Sequence, residues 1–254
     1  MSGTILTTYF TSKPHPLYGD VVPPDSIDYI TMWFDSMRAV GLGGVVFHDG
    51  LSDTFVATHQ TETIRFVYRD PAHFRYSLND HRFVLYRDYL VEHPEIERVF
   101  MTDGNDVAVK RNPFADLVEG LVYVGSQPGR MHPPEPESDS HESMSYSYLR
   151  EQIATMGPGY DDLFERLETA WRCASYPVFN AGIVGGHRRT IIDLLNAMID
   201  ALETIDKPTE DLNMGILNYV IYRDYRERFV TNQPVHSVFG QYQNHRDDVW
   251  FVHK

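Results

Sequence analysis

Extended apolar runs alternate with helix-period stretches from the N-terminus to Asp103, and this alternation constrains the fold more than any other feature of the chain. Residues 5–10 read as a strand, which Thr11-Ser12-Lys13-Pro14-His15-Pro16 breaks into a loop. Asp25 reads as an N-cap, with Ile27, Ile30, Phe34 and Met37 at helical spacing behind it until Gly41. Residues 44–49 and 63–68 read as the second and third strands. Asn79 opens a helix with Phe83, Tyr86 and Leu90 on one face, Pro94 closes it, and a strand ending at Asp103 follows. Strands and helices in this order predict an α/β/α sandwich with a mainly parallel central sheet, where ligands gather at the carboxyl ends of the strands.

The second half is less regular. Residues 121–125 read as a strand, but 127–148 are rich in Pro, Ser, Glu and His and carry no periodicity. That composition suits an active-site lid or a disordered insertion. A helix runs from Asp161 to about Trp171, residues 178–186 are extended, and 190–202 and 209–221 are helical. Residues 250–252 form a last strand before His253-Lys254. With no internal repeat and no linker in the pattern, residues 1–254 read as a single domain with a flexible insertion at 127–148.

A formal charge of −14 gives no basic stripe for nucleic acid or an anionic membrane, so no stable nucleic-acid partner is expected. It leaves phosphate-bearing substrates open, because a bound divalent metal reverses the sign locally. The single cysteine, Cys173, excludes an intrachain disulfide and suits a reducing compartment. The first residues lack a basic segment followed by a long apolar run, and no apolar run reaches membrane-spanning length. A cytoplasmic protein is the expectation.

The segment Val99-Phe100-Met101-Thr102-Asp103-Gly104-Asn105-Asp106-Val107 carries the chemistry. A buried strand ends by presenting two carboxylates on a Gly-Asn turn, a spacing that suits a hard cation such as Mg²⁺ or Mn²⁺ holding a diphosphate. A strand closed by a polar turn needs the same residue types, so the motif alone leaves both readings open.

Further motifs follow in a fixed succession: Asn79-Asp80-His81-Arg82-Phe83, Asn112-Pro113-Phe114, Phe179-Asn180-Ala181-Gly182-Ile183, Glu210-Asp211-Leu212-Asn213 and the terminal Val252-His253-Lys254. Together with the two carboxylates, their order resembles that of metal-dependent glycosyltransferases of the GT-A fold. The nearest likeness is the Asp-x-x-Asp type in the glycosyltransferase domain of the collagen-modifying lysyl hydroxylases. Glycogenin and related retaining enzymes share the general plan. The correspondence fails between Ser126 and Ser175.

The resemblance implies Asp103 and Asp106 as carboxylates on Mn²⁺ (or Mg²⁺) and His253 as the third protein ligand. Mn²⁺ is preferred because an imidazole joins the oxygens. Asn105 stands where a plain Asp-x-Asp enzyme keeps its second acid, and its amide is placed on ribose or metal. Lys254 is placed on the β-phosphate, or is an exposed terminal lysine. Thr8 and Tyr9 match the site of the nucleotide base, with β-propensity as the competing account for both, as for Thr7. Arg82 faces the nucleotide or is a solvated helix residue, while Asp80 belongs to the first turn of its helix. Asn180 matches the segment that meets donor sugar and acceptor, and a local turn explains it equally. Glu210 and Asp211 either cap a helix or supply the carboxylate near the anomeric carbon, Asp211 being favoured. His48-Asp49 reads as a turn in preference to pocket residues, and His187-Arg188-Arg189 as a solvated helix start.

The expected activity is transfer of a sugar from a nucleoside-diphosphate sugar, of UDP type, to a hydroxyl-bearing acceptor, with retention implied by the likeness. A sugar-nucleotide nucleotidyltransferase is the first rival, although Thr11-Ser12-Lys13-Pro14-His15-Pro16 lacks the Gly-rich basic loop such enzymes use. A non-catalytic nucleotide- or sugar-binding module of the same fold is the second.

Overall fold

A computed structural model describes residues 3–14, 19–130, 140–170, 176–206, 209–239, 243 and 245–254. The central sheet is built from β1 (Gly3–Tyr9), β2 (Gly43–His48), β3 (Ile64–Tyr68), β4 (Arg98–Thr102), β6 (Val122–Arg130), β7 (Pro177–His187) and β8 (Phe229–Val230). Its order is β3-β2-β1-β4-β7-β6-β8. Strand β7 runs against β4 and β6, and the other pairings are parallel. The mainly parallel α/β sheet is thus the observed architecture. A second sheet pairs β5 (Val107–Val109) with β9 (Phe251–His253).

Helices cover both faces. Helix α1 (Thr31–Val40) packs Trp33, Phe34 and Met37 into one core with Ile5, Val46 and Phe100, and α2 (Asp53–His59) adds Phe55. The opposite core takes Leu6, Val45 and Phe47 of the same strands. Against them lie Tyr86 of α3 (Leu78–Glu92), Ile153 of α4 (Ser140–Met156), Phe164 of α5 (Pro158–Ala170), Leu194 of α6 (Arg188–Glu203) and Leu217 of α7 (Asn213–Asp224). Neighbouring residues of β1 and β2 thus feed opposite cores, as the two-residue period of a strand requires. Among the described residues no helix is long and apolar enough to cross a membrane.

Several expected boundaries move, each for a local reason. Asp25 is not an N-cap: its φ is 59°, its carboxylate accepts from Ser52 N at 2.8 Å, and α1 starts behind Ile30 with no side-chain cap. Ser77, not Asn79, caps α3, accepting from Asp80 N at 3.1 Å. Helix α7 begins at Asn213 rather than at Thr209, so Glu210 and Asp211 lie in the segment before it and do not cap it. Helix α6 begins at Arg188, where Arg188 Nε donates to Leu90 O of α3 at 2.8 Å, so Arg188 is tied to that helix while Arg189 is exposed. Within the expected insertion, 127–130 belong to β6 and 140–148 to α4, while 131–139 lie outside the described residues. Trp171 and Cys173 lie outside them too.

Candidate metal centre

Three elements bring Asp103, Asp106 and His253 together. Strand β4 ends at Thr102 in the middle of the sheet, so Asp103 leaves its carboxyl end. The turn that follows packs on the end of β1: a Cβ at Gly104 would sit 2.9 Å from Thr7 Oγ1 and 3.3 Å from Thr8 O, which only glycine tolerates. Antiparallel pairing of β9 with β5 sets His253 opposite Val107, one residue beyond Asp106, and Lys254 N donates to Asp106 O at 3.0 Å. Phe251 is fully buried and anchors the tail, and His253 N donates to Ser237 Oγ at 3.0 Å.

One ligand atom from each of the three side chains lies within 4.8 Å of the other two. His253 Nε2 is 3.6 Å from Asp106 Oδ1 and 3.9 Å from Asp103 Oδ2. The imidazole is 1% exposed, yet neither ring nitrogen has a hydrogen-bond partner, and Asp106 Oδ1 is likewise buried without one. Each such orphan costs about 1–3 kcal/mol unless something satisfies it. Two carboxylates and a buried imidazole converging on one point could hold a divalent cation, and Mn²⁺ suits oxygen-plus-imidazole ligation.

Arg82 fixes one of the two carboxylates. Its guanidinium, 7% exposed, pairs through Nη1 with Asp103 Oδ1, and Nη2 donates to Ala181 O at 3.2 Å. Burial works against its charge, but Asp103, Tyr86 and Asp211 together outweigh that and push the guanidinium pKa up. Arg82 is therefore not solvated; with Oδ1 held, Asp103 turns Oδ2 toward the cluster. Gly182 closes the other side. An added Cβ there would lie 2.5 Å from Asp103 Oδ2 and from His253 Cε1, so no side chain fits. Asn180 Oδ1 accepts from Gly182 N at 2.6 Å, which shapes this close approach.

A second polar group lies on the far side of Arg82. Asp211 Oδ2 accepts from Asn79 Nδ2 and Tyr148 Oη, each at 3.1 Å, and Oδ1 accepts from Asn213 Nδ2 at 3.0 Å. Burial, then Asp211, pushes the Tyr148 hydroxyl up. Asp80 is fully buried, and burial followed by the Asp211 charge raises its carboxyl to about 7. Asp211 also acts on Arg82, so Arg82 links this group to the metal centre.

The remaining expected residues separate. Tyr9 is fully buried, its hydroxyl donating to Pro23 O at 2.6 Å or to Ser26 O at 2.9 Å. It cannot stack on a base. Tyr29 lies on it, ring centroids 4.8 Å apart, and is one aromatic that borders the site: burial, then Asp103 and Asp106, push its hydroxyl up. Thr7 is a core residue donating to Thr102 O at 2.9 Å, and Thr8 is half-buried beside the turn. Asn105, Glu210 and Lys254 are exposed. Asp49 accepts from Thr11 N at 2.6 Å and clamps the loop after β1, as a turn residue does.

Sequence reasoning missed Tyr29 and Tyr148 and read Asp80 as helix-start chemistry alone. Tyr29 sits within the expected α1 pattern, and Tyr148 within the segment where no period was visible. Asp80 did carry a signal, a helix N-terminal acid two residues before the arginine of the same motif. No protein-family model matches the chain, and no curated protein matches it.

Proposed function

We propose that the chain is a metal-dependent glycosyltransferase of GT-A type, moving a sugar from a nucleoside-diphosphate sugar to an acceptor hydroxyl. The observation that carries this reading is the meeting of Asp103, Asp106 and His253, drawn from mid-chain and tail, at the carboxyl end of a central strand. That is where ligands collect in such sheets. The succession of motifs that resembles the GT-A enzymes supports it further.

Asp103, Asp106 and His253 are the residues that hold the cation, and Arg82 orients Asp103 for it. When bound, Mn²⁺ neutralises the charge that develops on the departing nucleoside diphosphate. Asn180 and Gly182 let backbone and amide approach the donor sugar closely. Asp211, tied to Asn79, Tyr148 and Asn213, presents a carboxylate whose charge reaches Arg82. In an inverting reaction Asp211 takes the acceptor proton; in a retaining one the departing phosphate oxygen takes it and Asp211 stabilises positive charge at the anomeric carbon. Glu210 is exposed and is not assigned either role.

The test is incubation of the protein with UDP- and GDP-sugars, with and without Mn²⁺. Metal-dependent release of nucleoside diphosphate is the expected outcome. Release of pyrophosphate from a sugar phosphate and nucleoside triphosphate identifies a nucleotidyltransferase instead, and tight binding without turnover identifies a binding module.

A further inference from the structure

The first turn of α3 and the segment that enters α7 are joined by a buried carboxyl. Asp80 Oδ2 accepts from Leu212 N at 3.0 Å and from Ser77 Oγ at 2.7 Å, and Asp80 N donates to Ser77 Oγ at 3.1 Å. Its Oδ1 is buried without a partner. The residue before Leu212 is Asp211, so the bond to Leu212 N holds a second carboxyl next to the first. Asp211 has what Asp80 lacks, three side-chain donors from Asn79, Tyr148 and Asn213. Two adjacent carboxyls in a low-dielectric site do not both ionise readily, and the one with more donors keeps the negative charge.

We infer that Asp80 is the positioning residue of Asp211: it ties the segment before α7 to α3 and is the protonated one of the two carboxyls, leaving Asp211 as the ionised member. The charged and titratable groups that act on Asp80 are Asp211 from the segment before α7, Arg82 on its own helix and Tyr148 from α4. Arg82 is committed to Asp103, so it lowers the Asp80 carboxyl less than burial and Asp211 raise it. The pair stands on this geometry; only the role of Asp211 in sugar transfer rests on the proposed function.

Carboxyl ¹³C NMR titration of the full chain tests the pair directly. In the parent protein one aspartate titrates near neutrality. That resonance is absent in Asp80→Asn, and in Asp211→Asn it moves toward the ordinary carboxylate range. If it persists in Asp80→Asn, or stays in place in Asp211→Asn, or no aspartate titrates that high, the inference is overturned.

Kinetics give the second arm. With Mn²⁺ and a nucleotide sugar, kcat of the parent falls as pH rises past neutrality, and in Asp80→Asn, which keeps the neutral tether, that fall disappears. Asp80→Ala loses the tether, and kcat drops on the order of 10–100-fold with KM for the nucleotide sugar little changed. A merely structural Asp80 leaves the shape of the pH profile as it was, which contradicts the inference. Absence of any Mn²⁺-dependent turnover alongside the shared NMR titration overturns sugar transfer and leaves the pair standing.

Discussion

At the scale of single residues, the site is built by exclusion as much as by contact. Gly182 has room for a hydrogen and nothing larger, since a Cβ would meet Asp103 Oδ2 and His253 Cε1 at 2.5 Å. Gly182→Ala should cost about 1–3 kcal/mol from overpacking and abolish the Mn²⁺-dependent rise in melting temperature. Thermal melts with and without metal read both. Arg82 and Asp103 form a buried ion pair, and removing one partner strands the other. Because Asp103 keeps 26% of its side-chain surface in solvent, Arg82→Ala should sit at the low end of the usual range, about 3 kcal/mol in urea unfolding. Added Mn²⁺ should return part of that loss by supplying positive charge to the same carboxylate; no recovery means that Asp103 is a structural anion alone. The meeting of Asp103, Asp106 and His253 was legible because two acids on a strand-ending turn and a histidine after a strand are local patterns. Tyr9 was misassigned because β-propensity and ring chemistry do not say which face of a strand meets solvent. The structure turns Tyr9 inward and leaves Tyr29 at the site.

At the scale of elements, the short pair β5 and β9 does what the large sheet cannot. It carries a residue from the end of the chain to a turn 147 positions earlier, the separation of Asp106 and His253. Phe251 is fully buried in the core around Phe100 and Trp250 and holds β9 down. Phe251→Ala should therefore cost about 3–5 kcal/mol and release His253 with it, whereas His253→Ala should leave the fold intact and remove only the metal response. Circular dichroism melts in the presence and absence of Mn²⁺ separate the two variants. Periodicity announced α1 and α6, the spacing of Phe83, Tyr86 and Leu90 announced α3, and apolar runs announced β1–β4 and β7. Helix α2 buries a single residue, Phe55, so it left no period to read. Of the described side chains of helix α4, Leu149, Gln152, Ile153 and Met156 are buried, and all four follow the Pro-, Ser- and Glu-rich stretch that ends at Tyr148. The entry to α7 was misjudged because Thr-Glu-Asp is a common helix opening. Here the bond from Leu212 N to Asp80 Oδ2 holds that segment out of the helix, and this places Asp211 beside Asp80.

At the scale of the whole molecule, buried titratable groups set opposing pH dependences. His236 accepts at Nε2 from Ser126 N at 3.0 Å and Asn232 N at 3.1 Å, and burial lowers it to about 4, as burial also lowers His81. Unfolding restores both to the ordinary value of 6.5, so the unfolded chain binds more protons between these limits. Their contribution is complete above 6.5 and is lost as pH falls toward 4. Asp80 acts oppositely: raised to about 7 from 3.8, it favours the folded chain fully below 3.8, and that contribution is lost as pH rises through 7. Unfolding free energy followed by urea titration across pH should pass through a maximum on the weakly acid side of neutrality, and Asp80→Asn should remove the decline above it. A monotonic rise through neutrality contradicts this assignment. Titrating Mn²⁺ into the protein in the presence of a nucleoside diphosphate, by calorimetry or by loss of the free-ion electron paramagnetic resonance signal, probes the proposed site at Asp103, Asp106 and His253 directly. One Mn²⁺ should bind per chain, and Asp103→Ala, Asp106→Ala and His253→Ala should each abolish or greatly weaken it. Binding by His253→Ala equal to that of the parent would show that the tail does not complete the site.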